Sequence, residues 1–324
     1  MMLDDIKNCA KQFAYEPKVE NAAKLKRKFT KFVVVGMGGS HLAADIIRAW
    51  HPGLDIVSWS NYGLPPLHEK DLKERLVIAS SYSGNTEEPI DAFNMTRAKH
   101  LPLAVIATRG KLIALAQKLK LPYVQVPDFH AQPRMSTGLM LMGTLALIGE
   151  KTWLWEAREL ATTLHPVREE YRGRELAKRL HGSVPVIYAS LRNATVAYNW
   201  KIKFNETGKI PAFCNVVPEL NHNEMTGFDA KERTAPLSRH FHFVFLKDGG
   251  DDRRITKRMS VLEKLYKDRG FKVEVVLLQG KNELHKIFTA LNLADWTAYY
   301  TAKLYGVEPD EVPMVEEFKK LIGR

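Results

Sequence analysis

Three hydroxyl side chains crowd into one short run, SSYSGNTEE, residues 80–88, where Ser81, Ser83 and Thr86 flank Gly84. The apolar stretch Leu76 to Ala79 before it reads as a strand. EEPIDAFNMTRAKH after it reads as a helix opened by Thr86, with acidic residues and Pro89 in its first turn. A strand, a hydroxyl-rich turn and a helix N-terminus, in that order, aim backbone N–H groups and the positive end of a helix dipole at one point. That arrangement suits a phosphate, and Gly84 lets the backbone bend tightly enough to make it. The plainer alternative is a turn whose hydroxyls only cap the helix.

Such a turn needs a sheet to hold it. KFVVVGMGGSHLAADIIRAW supplies a strand at Phe32 to Val35, a glycine turn, and a helix with Leu42, Ile46 and Ile47 on its apolar side. Gly36, Gly38 and Gly39 resemble part of a dinucleotide fingerprint, but His41 holds the third glycine position. The next strand, LDIVSWS, ends in Ser58, Trp59 and Ser60, with Asp55 at its start and no acid at its end to take a ribose hydroxyl. Gly39 and Ser40 therefore fit better as further phosphate or sugar contacts than as part of a nicotinamide site.

The chain continues through LPLAVIAT, GKLIALAQKL, YVQVP and STGLMLMGTLALIGE. Short apolar strands alternating with helical stretches predict an α/β fold, a parallel sheet flanked by helices on both faces. The first domain is expected over 1–150, after a helical lead-in of about thirty residues. Charged helical segments from Lys151 to His181 then lead into a second alternation: VPVIYAS, a helix from about Arg192 to Thr207, PAFCNVV, HFHFVFL, a helix from about Asp252 to Arg269, VEVVLLQ and a long helical end. The second domain, 151–324, thus repeats the architecture of the first without a residue-level repeat.

Composition narrows the class of partner. The 324 residues are 45% hydrophobic and 26% charged, enough apolar material for two cores, and no window approaches the length of a membrane span. A cytoplasmic protein without a membrane partner is expected. The net charge of +11 attracts phosphate in any form, but Lys and Arg are scattered over helices, which favours a small anion over a nucleic acid. Cys9 and Cys214 lack CxxC partners and read as packed thiols. His240 and His242 are spaced to share one face of a strand, as a pair of metal ligands would. Alternation with Phe241 and Phe243 is better explained by one polar and one apolar strand face.

Taken together, GMGGS, SSYSGNTEE, PRMSTG, KIKFNETGKIPAF and ELNHNEMTGF resemble the bifunctional phosphoglucose/phosphomannose isomerases, which are built from two sugar-isomerase (SIS) domains. The resemblance runs from about Phe32 to Pro309. GMGGS and SYSGNT alone mark only a SIS domain; the pairing of NETGK with ELNHNE is far more specific. The activity implied is interconversion of glucose 6-phosphate, and mannose 6-phosphate, with fructose 6-phosphate. That chemistry needs a base to move a proton between C1 and C2, groups to open the ring, and a cation beside the enediolate, but neither metal nor nucleotide cofactor.

The resemblance assigns each part. Glu206 matches the base, at the end of a helix ahead of Gly208, a candidate C-cap; there a carboxylate faces the negative end of the dipole, which suits a group that must take up a proton. His222 matches a ring-opening histidine that in the family reaches the neighbouring subunit's site, implying a homodimer. Lys303 matches the second ring-opening group and Arg134 the enediolate's cation. Without the resemblance these would read as a surface carboxylate, a loop histidine, a helix-end lysine ahead of Gly306 and a loop arginine. The family's threonine two turns before the lysine is here Trp296, with Thr297 adjacent, which weakens the expectation for mannose 6-phosphate. The rival readings are a non-catalytic SIS sensor of sugar phosphates, or another sugar-phosphate isomerase or aminosugar enzyme. The first thirty residues are too short and irregular for the helix-turn-helix domain a regulator would carry.

Overall fold

Short runs rich in valine and isoleucine become strands here, because side chains branched at Cβ pack well on a pleated surface. In the computed structural model, residues 1–25, 27–129, 131–229 and 231–323 are described. Their packing divides the chain into Lys7–Leu164 and, as the other unit, Met1–Ile6 with His165–Arg324.

Lys7–Leu164 is built on six strands: β1 (Val19–Glu20), β2 (Lys31–Val35), β3 (Asp55–Trp59), β4 (Leu76–Ser80), β5 (Leu103–Ala107) and β6 (Tyr123–Gln125). They lie in the order β1-β6-β5-β4-β2-β3, all parallel except β1 against β6. Strands β4 and β5 are buried along their whole length, as expected of strands covered on both faces. Strand order reverses where β2 meets β4, with Val35 beside Ala79. Helices α1 (Gly39–Trp50) and α2 (Glu87–Ala98) start from the carboxyl ends of those two strands.

The other unit has four strands, β7 (Val184–Ser190), β8 (Phe213–Val217), β9 (Phe241–Asp248) and β10 (Lys272–Leu278), all parallel in the order β10-β9-β7-β8. Its order reverses between β7 and β9. Helices α3 (Ala194–Glu206), α4 (Arg253–Asp268), α5 (Glu283–Tyr305) and α6 (Pro313–Leu321) belong to this unit. Its core is aromatic, with Tyr188, Phe243, Phe245 and Tyr266 packed around β7 and β9. The two parallel sheets flanked by helices are the fold read from the sequence. Among the described residues, no helix is long and apolar enough to cross a membrane.

Three details differ from the sequence reading. The lead-in is not wholly helical: β1 is an edge strand whose two residues carry no pattern of their own and are held by β6, and Met1–Ile6 pack with the second unit. The division falls after Leu164, because helices Lys151–Arg158 and Leu160–Thr163 stay with the first unit. His240 and His242 do not share a polar strand face: His240 is exposed ahead of β9, and His242 is buried in it beside Phe243. The alternation failed because β9 is an inner strand, covered on both faces. Among the described residues, no group of three His, Cys, Asp or Glu side chains is placed to hold a metal ion.

Neither ring nitrogen of His242 has a hydrogen-bond partner, and Glu274 approaches only to 3.7 Å. Burial, partly offset by the Glu274 carboxylate, pushes the imidazole down to about 4 from its ordinary 6.5. Between those values the unfolded chain takes a proton that the folded chain refuses, so stability is lost as pH falls from about 6.5 towards 4. His242→Leu should therefore remove about 2 kcal/mol from the loss in unfolding free energy between pH 8 and pH 5, measured by urea denaturation. An equal loss in both proteins would show that His242 does not govern the acid limb.

Candidate active site

A ligand in an open parallel sheet lies outside the carboxyl ends of the strands where their order reverses. In Lys7–Leu164 that place is the β2/β4 junction, and the two turns leaving it are tied together at Ser40. Its carbonyl accepts a hydrogen bond from Ser80 Oγ at 2.8 Å, and its hydroxyl accepts one from the Tyr82 N–H at 2.9 Å. Gly39 is pressed against a third segment, so that a Cβ there would lie 2.7 Å from the Pro133 carbonyl oxygen. Arg134 follows in the 3-10 turn Pro133–Met135, buried. The structure thus gathers Gly39, Ser40, Ser81, Ser83, Thr86 and Arg134 onto three converging segments of one unit.

The hydroxyl turn is ordered from within. Ser81 Oγ accepts from the Gly84 N–H at 3.1 Å and shares a hydrogen bond with Thr86 Oγ1 at 2.8 Å and a longer one with Ser83 Oγ at 3.5 Å. Gly84 is left-handed, with φ of 71°, and a Cβ would overlap the Arg109 carbonyl. Thr86 stands at the N-cap of α2 but its hydroxyl turns to Ser81 and caps nothing. Within the turn, Ser83 Oγ also accepts from the Asn85 N–H at 3.3 Å, so its hydroxyls serve the turn's own backbone rather than the end of α2. Ser81 is fully buried, while Ser83 and Thr86 are only half-buried and nearer to solvent.

The other predicted residues lie in the second unit. Glu206 is the last residue of α3 and Lys303 sits in the last turn of α5, exposed, with its ammonium 5.3 Å from the centre of the Tyr299 ring. These two helices are fastened by a buried ion pair, Lys203 Nζ to Asp295 Oδ1 at 2.5 Å, and by Trp200 donating to the Ala290 carbonyl at 3.0 Å. Gly208 is not the left-handed residue that ends α3: Thr207 continues the helical conformation, and Lys209 takes positive φ, 56°. Glycine is used there for close approach, since a Cβ would lie 2.8 Å from the Phe204 carbonyl oxygen. Trp296 is committed elsewhere, its indole N–H donating to the Pro166 carbonyl at 2.8 Å, and the Thr297 hydroxyl donates to the Leu293 carbonyl at 2.7 Å.

His222 is placed on a different feature. It ends the turn Glu219–His222, exposed, beside a groove along α4. Two residues on, Glu224 accepts from the Tyr188 hydroxyl at 2.5 Å and from Asn215 Nδ2. Burial, with Tyr266 and Glu224 adding to it, pushes the Tyr188 phenol far up, so it stays a donor. This clamp fixes the His222 segment and was missed from sequence, although Glu224 stands inside the quoted ELNHNE motif.

The second sheet has its own crevice at β7/β9, filled differently. Asp248 accepts from Gly250 N at 2.9 Å, Asn193 Nδ2 at 3.1 Å and Lys286 Nζ at 2.5 Å. A carboxylate of the chain itself thus stands in the second crevice, where the first sheet presents hydroxyls.

The chain is similar to known proteins over most of its length. Residues 169–322 match the model of the bacterial phospho-glucose isomerase C-terminal SIS domain. The chain is 32% identical over 307 residues to a bifunctional phosphoglucose/phosphomannose isomerase of Aquifex aeolicus, covering 93% of each chain. It is 32% identical over 306 residues to the enzyme of that name in Thermoplasma volcanium, covering 91% of this chain and 92% of the other. Among solved structures, glucosamine-6-phosphate deaminase from Thermotoga maritima superposes with a TM-score of 0.69 at 17% identity, over 96% of this chain and 97% of that one, a likeness of fold alone.

Each charge-assisted hydrogen bond to a phosphate is worth about 1.5 to 3 kcal/mol. Replacing Ser81 and Ser83 together with Ala should therefore weaken the binding of a sugar phosphate at least about a hundredfold, read by titration calorimetry. Unchanged affinity would move the phosphate site away from the β2/β4 junction.

Proposed function

Because the chain belongs to the bifunctional phosphoglucose/phosphomannose isomerase family, we propose that it interconverts glucose 6-phosphate, and mannose 6-phosphate, with fructose 6-phosphate. The observation that carries this reading is the cradle at the β2/β4 junction, where hydroxyls stand beside the N-terminus of α2 at the point where an α/β sheet takes an anion. The phosphate sits there. At the other end of the sugar, His222 of a second copy and Lys303 open the ring, giving and taking the proton of the ring oxygen and the C1 hydroxyl.

Glu206 then takes the C2 proton of the aldose. The electron pair of that C–H bond forms the C1=C2 bond, and the carbonyl oxygen at C1 gathers the charge beside Arg134. Glu206 returns the proton to C1 while the C2 hydroxyl proton passes to the C1 oxygen, which leaves a C2 carbonyl and a C1 hydroxyl, the ketose. No electrons leave the substrate and no hydride moves, so the reaction balances without a cofactor. The protein acts, in this reading, as a cytoplasmic homodimer with shared sites.

Two experiments test the roles. Glu206→Gln keeps the shape of the side chain but cannot accept a proton, so kcat should fall by roughly two to four orders of magnitude while substrate still binds. Near-normal turnover would assign the base elsewhere. Mixing inactive Glu206→Gln and His222→Ala chains should restore activity to roughly a quarter of wild type, since about half the dimers are mixed and each carries one intact site of two. Exchange confirmed by mass with activity still at baseline would remove His222 from the neighbouring site.

A further inference from the structure

The chain that leaves the Glu206 end of α3 is folded back onto that helix. Gly208 donates its N–H to the Lys203 carbonyl at 3.1 Å, Ile210 donates to the Phe204 carbonyl at 3.3 Å, and Asn205 Nδ2 donates to the Ile210 carbonyl at 3.0 Å. Between these fixed points Lys209 is left-handed, with φ of 56°, a conformation that glycine adopts far more readily than lysine. The backbone alone would be better served by glycine, so a lysine held in this turn points to work done by its side chain.

The ammonium shows what that work is. Lys209 Nζ donates to the Glu206 carbonyl at 2.5 Å, to the Glu311 carbonyl, and at 3.5 Å to the Pro309 carbonyl. The first acceptor belongs to the last turn of α3, whose carbonyls lack intrahelical partners and where the helix dipole favours a cation. The other two belong to the connection that follows α5. That helix is closed just beyond Lys303, by Gly306 with φ of 66° and by the Val307 N–H donating to the Ala302 carbonyl at 3.0 Å. An ammonium carries three N–H donors on a flexible stem, which suits it to gather main-chain oxygens from two segments.

We propose that Lys209 is a positioning residue for the isomerisation: its ammonium staples the main chain at Glu206 to the connection leaving α5, and so holds the base and Lys303 in one register. The inference rests on the assignment of Glu206 as base and Lys303 as a ring-opening group, and deepens it. The buried pair of Lys203 and Asp295 joins the same two helices further from their ends. Lys209 instead fixes the two ends that carry the reacting groups. Without the staple the Glu206 carboxylate drifts from the C2 proton, and a misplacement of about 1 Å is enough to cost about a hundredfold in rate. The phosphate cradle is untouched, because its residues all lie in Lys7–Leu164.

Lys209→Gly keeps the left-handed turn and removes the ammonium. Its kcat should fall about tenfold to a hundredfold with KM changed less than about twofold, at a temperature where far-UV circular dichroism shows the fold intact. Alkylating Lys209→Cys with bromoethylamine rebuilds a side chain of lysine's length ending in an ammonium. That should return kcat to within about threefold of wild-type protein treated in the same way, in which Cys9 and Cys214 meet the same reagent. Lys209→Gly chains mixed with His222→Ala chains should regain activity, since one site then holds an intact Lys209 and Glu206 with the histidine of the other chain. Mixed with Glu206→Gln chains they should not, because every site keeps one of the two defects. Unchanged kcat in Lys209→Gly, a loss confined to KM, recovery with Glu206→Gln chains, or no recovery after modification of residue 209 confirmed by mass would each overturn the staple. If Lys209→Gly is unimpaired while Glu206→Gln is inactive, the staple fails and the base assignment stands. Near-normal turnover in Glu206→Gln removes the base, and with it the group that the staple positions.

Discussion

Two hydrogen bonds to Ser40 hold the cradle together. Without them the turns that leave β2 and β4 would be neighbours in the sheet and nothing more. The Ser80 hydroxyl fixes the first turn to the end of the second strand, and the Ser40 hydroxyl takes the N–H of Tyr82, orienting the hydroxyl turn from its first residues. Both bonds are buried, where their loss would leave polar groups without water to replace them. Everything further out inherits this seam. The 3-10 turn bearing Arg134 presses against Gly39, and Arg109 against Gly84, at positions where a Cβ would collide with the neighbouring backbone.

The sheets were legible in the sequence because their strands are inner strands. A parallel strand covered on both faces must be apolar throughout, and FVVV, LVIA, LAVIA and VPVIYAS show this directly. The same rule explains the error at His242: alternation with phenylalanine implies a wetted face only for a strand that has one. The edge strand β1 was invisible for the opposite reason, since two residues contribute no pattern and their extended conformation is imposed by the neighbour.

The site divides in the same way. A phosphate cradle is made of local sequence, so its hydroxyls and glycines are adjacent and readable. The proposed base, ring-opening pair and guanidinium are single residues from separate stretches of the chain, and nothing distinguishes Glu206 from other carboxylates at helix ends. Only resemblance could select them. The clamp of Glu224 by Tyr188 and Asn215 joins residues from a turn and two strands, which no pattern along the chain could have revealed.

The carboxylate in the second crevice also bears on how long the protein survives in a cell. Asp248 is a permanent occupant, so the sheet around it keeps the same internal support whether or not metabolite is present. On the proposed function, the first sheet gains support from a phosphate only when one is bound, by an amount that grows with ligand concentration over its dissociation constant. Loss of the ligand would then weaken that half selectively, and local opening around the β2/β4 junction would offer a protease its first route.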